Sequence, residues 1–346
     1  MKVLQLGPYP PPHGGVQTNL VAIRRYLRER GHSCAVINLT RFRGPDADDV
    51  YYPKSALAVL GLLFRLRYDI LHLHIGGFPR FRLLALALLC GLVPGCKAVL
   101  TFHSGGYPES PEGLAASPHT LRGFIFQRFD RIIAVNPELQ KLFHRFGVSP
   151  DRIRLIHPYS VAAPQEIAYP EALKEFVDSH APFLLTVGLL EPEYDLTMQI
   201  DVLGRIRDRH PKAGLLIAGA GSLEASLRRH IQSKPYADHV LLWGDLPHPL
   251  TLRAIAECDL LLRTSLYDGD SIAVREALGL GTPVIATDNG MRPADVQLIP
   301  PSNPEALSAA IEDYLSSGGS ERRRPEPDDR NIKTVFELYQ ELASST

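Results

Sequence analysis

The sequence predicts an α/β protein made of two doubly wound parallel sheets in series, each covered by helices on both faces. Three observations carry this expectation. Short apolar runs alternate with helical periods along the chain, the pattern of βα units and of a mostly parallel, doubly covered sheet. The alternation breaks once, at AAPQEIAYPEALKEFVDSHAP (162–182), and then restarts. Charge divides at the same place: residues 1–160 carry 20 Lys or Arg against 10 Asp or Glu, net +10, and residues 161–346 carry 17 against 28, net −11. A chain of 346 residues accommodates two domains of ordinary size.

The first domain is read over residues 1–170. Its strands are VLQLG (3–7), CAVINL (34–39), DILHLHIG (69–76), KAVLTFHS (97–104), RIIAVN (131–136) and IRLIHP (153–158). Behind the first strand, Val16, Leu20, Ile23 and Leu27 recur at helical spacing with Arg24, Arg25 and Arg28 between them, so an amphipathic helix is expected. The second domain is read over 180–320, with strands FLLTVG (183–188), AGLLIAGAG (213–221), VLLWG (240–244), DLLLR (259–263) and PVIATD (283–288). SSGGSERRRPEPDD (316–329) reads as a linker. Within 321–346, Ile332, Val335, Phe336, Leu338, Tyr339 and Leu342 lie at helical spacing, which predicts a terminal helix docked on the body.

A composition of 45% hydrophobic and 22% charged residues belongs to a folded soluble protein and excludes collagen-like or wholly disordered chains. Cys34, Cys90, Cys96 and Cys258 have no C-x-x-C spacing, so structural thiols in a reducing compartment are expected. MKVLQLG enters a strand with no signal-peptide core, and a cytoplasmic protein is the expectation. LLALALLCGLVPG (83–95) falls short of the ~20 residues that span a bilayer. With the preceding FPRFR, and with SALAVLGLLFRLR (55–67), it either packs on the sheet or touches an anionic membrane surface from the inner face. The basic first half suits anionic lipid or a phosphorylated acceptor. Nucleic acid is not expected as a partner, because no zinc-finger, homeodomain or RNP pattern is present.

In doubly wound sheets ligands bind beyond the carboxyl ends of the strands, and two such domains in series imply a cleft. After the first strand, PYPPPHGGVQTN places Gly14 and Gly15 where backbone approaches a ligand and a helix N-terminus offers free N–H groups. The same loop serves equally to turn the chain. It is not G-x-G-x-x-G, so a dinucleotide site gains little support. His103 ends the fourth apolar strand and is suited to orient a hydroxyl. His72 and His74 share one face of LHLHIG, against helices or at the cleft edge; a zinc site with His103 lacks supporting acid or cysteine spacing. Asn136 is placed as a helix cap.

The richest stretch is SLYDGDSIAVREALGLGTPVIATDNG (265–290). A helix beginning near Ser271 presents the N–H groups of Ser271, Ile272 and Ala273 as an anion site fit for a diphosphate. Asp268 and Glu276 flank it as grips for a sugar or ribose diol, and Asp270 either contacts the ligand or caps the helix. DGD also permits a divalent-ion reading, but its place in a second nucleotide-binding-like domain argues against one. Gly188, closing FLLTVG, stands with the same loops.

GGVQTN, the histidine after a strand, and D-x7-EAL-x-x-G-x-PVIA-x-D-x-G together resemble the retaining glycosyltransferases of family 4, of GT-B architecture, over nearly the whole chain. The resemblance implies two Rossmann-like domains facing across a cleft, the first binding a saccharide or lipid-linked acceptor and the second a nucleotide-sugar. It implies transfer of a hexose with retention, without a bound metal or other cofactor, in polysaccharide or glycolipid assembly. It further implies a front-face reaction in which the leaving phosphate takes the acceptor proton. By the same resemblance Glu276 holds the ribose, Asp268 and His103 meet the transferred sugar, and Ser271 and Ile272 donate to the diphosphate.

One departure stands out. Relatives carry an arginine and a lysine after the first strand of the second domain, where VGLLEPEYDL has Leu189 and Tyr194. Arg263, Arg275 and Arg292 are the candidate replacements near a leaving diphosphate. Arg263 is favoured for its place at a strand end, with packing or pairing to Asp270 as the rival role. A sugar- or partner-binding protein without turnover is the alternative to an enzyme.

Overall fold

The structure is a computed structural model that describes residues 1–44, 47–161, 166–267, 270–317 and 328–344. It divides into two compact units, Met1–Ser160 with Asp329–Thr346, and Val161–Asp328. Asp268 and Gly269 lie outside the described residues, so the structure carries no account of that pair.

The first unit contains β1 (Lys2–Gly7), α1 (Gly15–Glu29), β2 (Ser33–Asn38), β3 (Val50–Tyr51), α2 (Ala56–Arg65), β4 (Ile70–Ile75), α3 (Phe81–Cys90), β5 (Lys97–Phe102), α4 (Pro111–Leu114), α5 (Leu121–Phe126), β6 (Arg131–Ala134), α6 (Pro137–Arg145) and β7 (Ile153–Leu155). All strand pairs are parallel, in the order β3-β2-β1-β4-β5-β6-β7. Strand order reverses between β1 and β4, and that is where such a sheet opens a ligand crevice. The six strands expected here are present; the two-residue β3 was not foreseen.

Helix formation follows the apolar spacing. Leu20, Ile23 and Leu27 of α1 are buried, and the buried Asn19 donates its amide to Pro158 O at 2.7 Å. Asn136 caps α6, accepting from Leu139 N at 2.8 Å, and Ser55 caps α2. Each such cap satisfies an N–H that helix geometry leaves without a partner, worth about 1 kcal/mol. One face of the sheet packs Phe102, Phe126, Phe143 and Phe146, with Phe126 and Phe143 edge-to-face at 5.2 Å. The other face is covered by α1 and by the terminal helix, whose Ile332, Val335, Leu338, Tyr339 and Leu342 are buried with Val3, Ile70 and Val99. Each large side chain buried in this way contributes about 1.5–3 kcal/mol.

The second unit contains α7 (Glu171–Ser179), β8 (Phe183–Val187), α8 (Leu196–Arg207), β9 (Gly214–Ala218), α9 (Glu224–Gln232), β10 (Val240–Gly244), α10 (His248–Glu257), β11 (Leu260–Arg263), α11 (Ile272–Gly279), β12 (Val284–Thr287), β13 (Gln297–Ile299) and α12 (Pro304–Ser316). The terminal helix of the first unit is α13 (Arg330–Ser344). The sheet runs β10-β9-β8-β11-β12-β13, again with parallel pairs, so the order reverses between β8 and β11. The five expected strands are found, and the edge strand β13 is additional. Both units are thus doubly wound parallel sheets covered by helices.

The two apolar runs flanked by arginine form α2 and α3. Leu63, Leu84 and Ala87 face the core, while Leu57, Phe64 and Phe81 are exposed. No helix among the described residues is long and apolar enough to cross a membrane.

Candidate functional site

In the first unit the candidate residues gather at the carboxyl edge of β1, β4 and β5. Gly14 is the extended N-cap of α1, with no side chain to close the helix end, and Gly15 is its first residue. A β-carbon on Gly76, just past β4, would lie 2.9 Å from Val16 Cγ2, so the first turn of α1 rests directly on the end of β4. His103 follows β5, its backbone N–H donating to Ile75 O at 2.8 Å. The ring of His103 is half-buried and lies 24° from parallel to that of His74, with 3.4 Å between His103 Nε2 and His74 Nδ1.

His72 and His74, alternating along β4, point to the face covered by α1 and α13. Both are fully buried, and every ring nitrogen is engaged: His72 by Tyr339 OH and Thr101 Oγ1, His74 by His103 and Gln5. Their hydrogen bonding is therefore that of a polar seam through the sheet, not of ligands turned to a common ion. Burial pushes the imidazole of His72 down to about 3, lowers His74 well below the ordinary range, and lowers His103 as well.

In the second unit the candidates converge on the reversal between β8 and β11. Arg263, the last residue of β11, is buried; its Nη1 donates to Val187 O at 2.8 Å and its Nε to Ser265 Oγ at 3.1 Å. The guanidinium lies over the Tyr194 ring, 4.5 Å from the centroid. Gly188 makes room for this stack, because a β-carbon there would come 2.5 Å from Tyr194 Cε1 and 2.7 Å from Arg263 Nη1. Arg292 reaches the same serine, with Nη2 at 2.8 Å from Ser265 Oγ and Nε at 3.0 Å from Thr287 O. Two guanidiniums thus share one hydroxyl at the crevice of the sheet, and Leu189 is left partly exposed beside them.

The helix expected near Ser271 is α11. Ser271 caps it and Ile272 and Ala273 stand in its first turn, where amides have no helical acceptor. Asp270 Oδ1 accepts from Arg275 Nε at 2.8 Å, an ion pair that braces the approach to the helix. Glu276 is 2% exposed, and its Oε1 lies 2.6 Å from Nε2 of His248. His248, the first residue of α10, was not singled out in the sequence; HPL after a strand has no local mark of its contact with Glu276. Ser265 and Gln5 were likewise unforeseen.

Two family models match the chain, Glycosyltransferase Family 4 over residues 13–159 and Glycosyl transferases group 1 over 172–331. A phosphatidyl-myo-inositol mannosyltransferase of Mycobacterium tuberculosis is 25% identical over 334 residues, covering 87% of this chain and 83% of that protein. Among solved structures, Anabaena Alr3699/HepE in complex with UDP-glucose superposes with a TM-score of 0.70 at 17% identity, over 100% of this chain and 99% of the other. A putative UDP-N-acetylglucosamine 2-epimerase of Listeria monocytogenes gives 0.66 at 15% identity over 100% and 97%, so the fold by itself does not select a reaction. Fold and family matches together define a glycosyltransferase-like protein of GT-B fold. More particularly, the chain is related to the family 4 and group 1 glycosyltransferases, one model falling on each unit.

Proposed function

We propose that the chain is a retaining glycosyltransferase that moves a hexose from a nucleoside diphosphate sugar to a saccharide or lipid-linked saccharide acceptor, in polysaccharide or glycolipid assembly. The observation that carries this is the meeting of Arg263 and Arg292 on Ser265, at the carboxyl end of β11 in the connection that leads to α11. Negative charge grows on the diphosphate as its bond to the anomeric carbon breaks, and cations held in place beforehand lower the barrier. Relatives bring those cations from the loop after β8. Here Tyr194 of that loop offers a ring face to Arg263 instead, so the cation arrives from β11.

The remaining roles follow from donor and acceptor chemistry. The amides of Ser271, Ile272 and Ala273 take phosphate oxygens, and Arg275 steadies Asp270 at their approach. Glu276 accepts from the ribose diol while His248 fixes the carboxylate. Asp268 and His103 are assigned to the transferred sugar. The acceptor oxygen bonds to the anomeric carbon on the face the diphosphate leaves, and the leaving phosphate takes the acceptor proton.

A lipid-linked acceptor is supported by the net +10 charge of residues 1–160, by exposed Leu57, Phe64 and Phe81 on α2 and α3, and by the name of the mycobacterial relative. On this proposal the chain works at the cytoplasmic face of an anionic membrane. Leu189 and Tyr194 in place of cations favour one second reading, a sugar- or partner-binding protein without turnover. The two separate on product analysis: nucleoside diphosphate sugars incubated with lipid-linked saccharides in anionic vesicles give a glycosylated product of retained anomeric configuration, read by NMR. An inverted product overturns the retaining assignment, and saturable binding with no product supports the silent protein.

A further inference from the structure

The polar seam of the first unit has a direction. It starts at Leu20 O, a backbone carbonyl that only accepts, and Gln5 Nε2 donates to it at 3.2 Å and to Cys34 Sγ at 3.2 Å. Those contacts fix the amide, because a flipped Gln5 would set its oxygen against the Leu20 carbonyl. Gln5 Oε1 then faces His74 Nε2 at 2.9 Å and needs a donor. His74 therefore carries its proton on Nε2 and presents a lone pair at Nδ1, and that lone pair faces His103 Nε2. For the bond to exist, His103 must donate from Nε2. We propose that Gln5 and His74 are positioning residues that hold His103 as the Nε2–H tautomer, leaving its Nδ1 as a hydrogen-bond acceptor for a sugar hydroxyl.

Burial supports the same state. Gln5 and His74 are at most 1% exposed, so an unmatched donor or acceptor in the chain costs its full desolvation, and His74 and His103 are both kept neutral. The consequence is a choice of ligand chemistry. A hydroxyl that donates fits at His103 Nδ1, whereas an acceptor-only group such as a carboxylate meets a lone pair. The functional half of this inference rests on the proposal that His103 meets the transferred sugar; the tautomer itself does not.

The test uses the full chain, labelled with 15N in histidine. Long-range 1H–15N spectra near neutral pH are expected to show His103 protonated at Nε2 alone, with coupling across the hydrogen bond between His103 Nε2 and His74 Nδ1. His74→Leu should abolish the coupling and let the second tautomer of His103 appear, and His74→Asn, whose oxygen stands in for Nδ1, should restore the Nε2–H form. In binding, His74→Leu should reduce the advantage of a nucleoside diphosphate hexose over the bare nucleoside diphosphate by about tenfold, with the bare nucleotide unaffected. Wild-type His103 protonated at Nδ1, or as imidazolium, overturns the proposal. An unchanged hexose advantage in folded His74→Leu overturns its functional half. If no nucleotide binds wild type, the donor assignment falls, while the spectra still decide the tautomer.

Discussion

Replacing Glu276 by glutamine isolates the charge of one buried group. The side chain is 2% exposed, and His248 Nε2 meets Oε1 at 2.6 Å. Glutamine preserves volume and the bond to His248, so stability should change by less than about 1 kcal/mol. A carboxylate gripping a ribose diol makes two charge-assisted bonds of about 1.5–3 kcal/mol each, and the amide keeps one neutral bond of about 0.5–1.5. The loss is about 2.5–4.5 kcal/mol, or roughly 60- to 1,600-fold in Kd. Calorimetry with nucleoside diphosphates measures the affinity, and urea unfolding measures the fold. Unchanged affinity in a variant of native stability would refute the placement of the ribose on Glu276.

Arg263→Met removes a buried cation but leaves an apolar side chain against Tyr194. Affinity for a nucleoside diphosphate should fall about 10- to 100-fold, as for one lost charge-assisted contact, while the affinity for the parent nucleoside stays within about twofold; equal losses for both would remove Arg263 from the diphosphate. Acidification should destabilise the first unit, because burial lowers His72 to about 3 and His74 below its ordinary range, from 6.5 in the unfolded chain. Below about pH 6.5 the unfolded state binds more protons, so stability falls by up to about 1.4 kcal/mol per pH unit for each histidine. For His72 this continues down to about pH 3; urea midpoints that stay level between pH 7 and pH 5 would contradict the neutral seam. Gly219 has φ 152°, and a β-carbon there would sit 1.7 Å from Gly188 O, whereas Gly31, also at positive φ, has open space. Gly219→Ala should cost about 3 kcal/mol or more and Gly31→Ala about 1 in urea unfolding; similar costs would dismiss the close approach at Gly219.

Apolar periodicity revealed most of the fold because buried parallel strands need continuous apolar runs, and eleven such runs became strands. The two that were missed, Val50–Tyr51 and Gln297–Ile299, are short edge strands. An edge strand is specified by one neighbour and buries little, so its composition barely differs from that of a loop. At the site, backbone features were legible: a helix beginning near Ser271, glycines where loops approach; the cap offered to Asp270 belongs to Ser271, and Asp270 pairs with Arg275 instead. Side-chain partnerships were not. The pairing of His248 with Glu276 joins residues 28 apart in sequence, and the stack of Arg263 on Tyr194 joins residues 69 apart; neither leaves a local pattern. The His-x-His of β4 was legible as one face of a strand, yet its use depended on Gln5, Thr101 and Tyr339 from three other elements.

The central claim is that the second unit holds a nucleoside diphosphate sugar with cations drawn from β11 and the loop after β12. Calorimetric titration of the full chain with a panel of nucleoside diphosphates and their sugars, with and without magnesium, tests it most directly. Saturable binding with preference for one base, undiminished when magnesium is withheld, is the predicted result. No binding across the panel would contradict the claim and leave Leu189 and Tyr194 as marks of a site that has lost its donor.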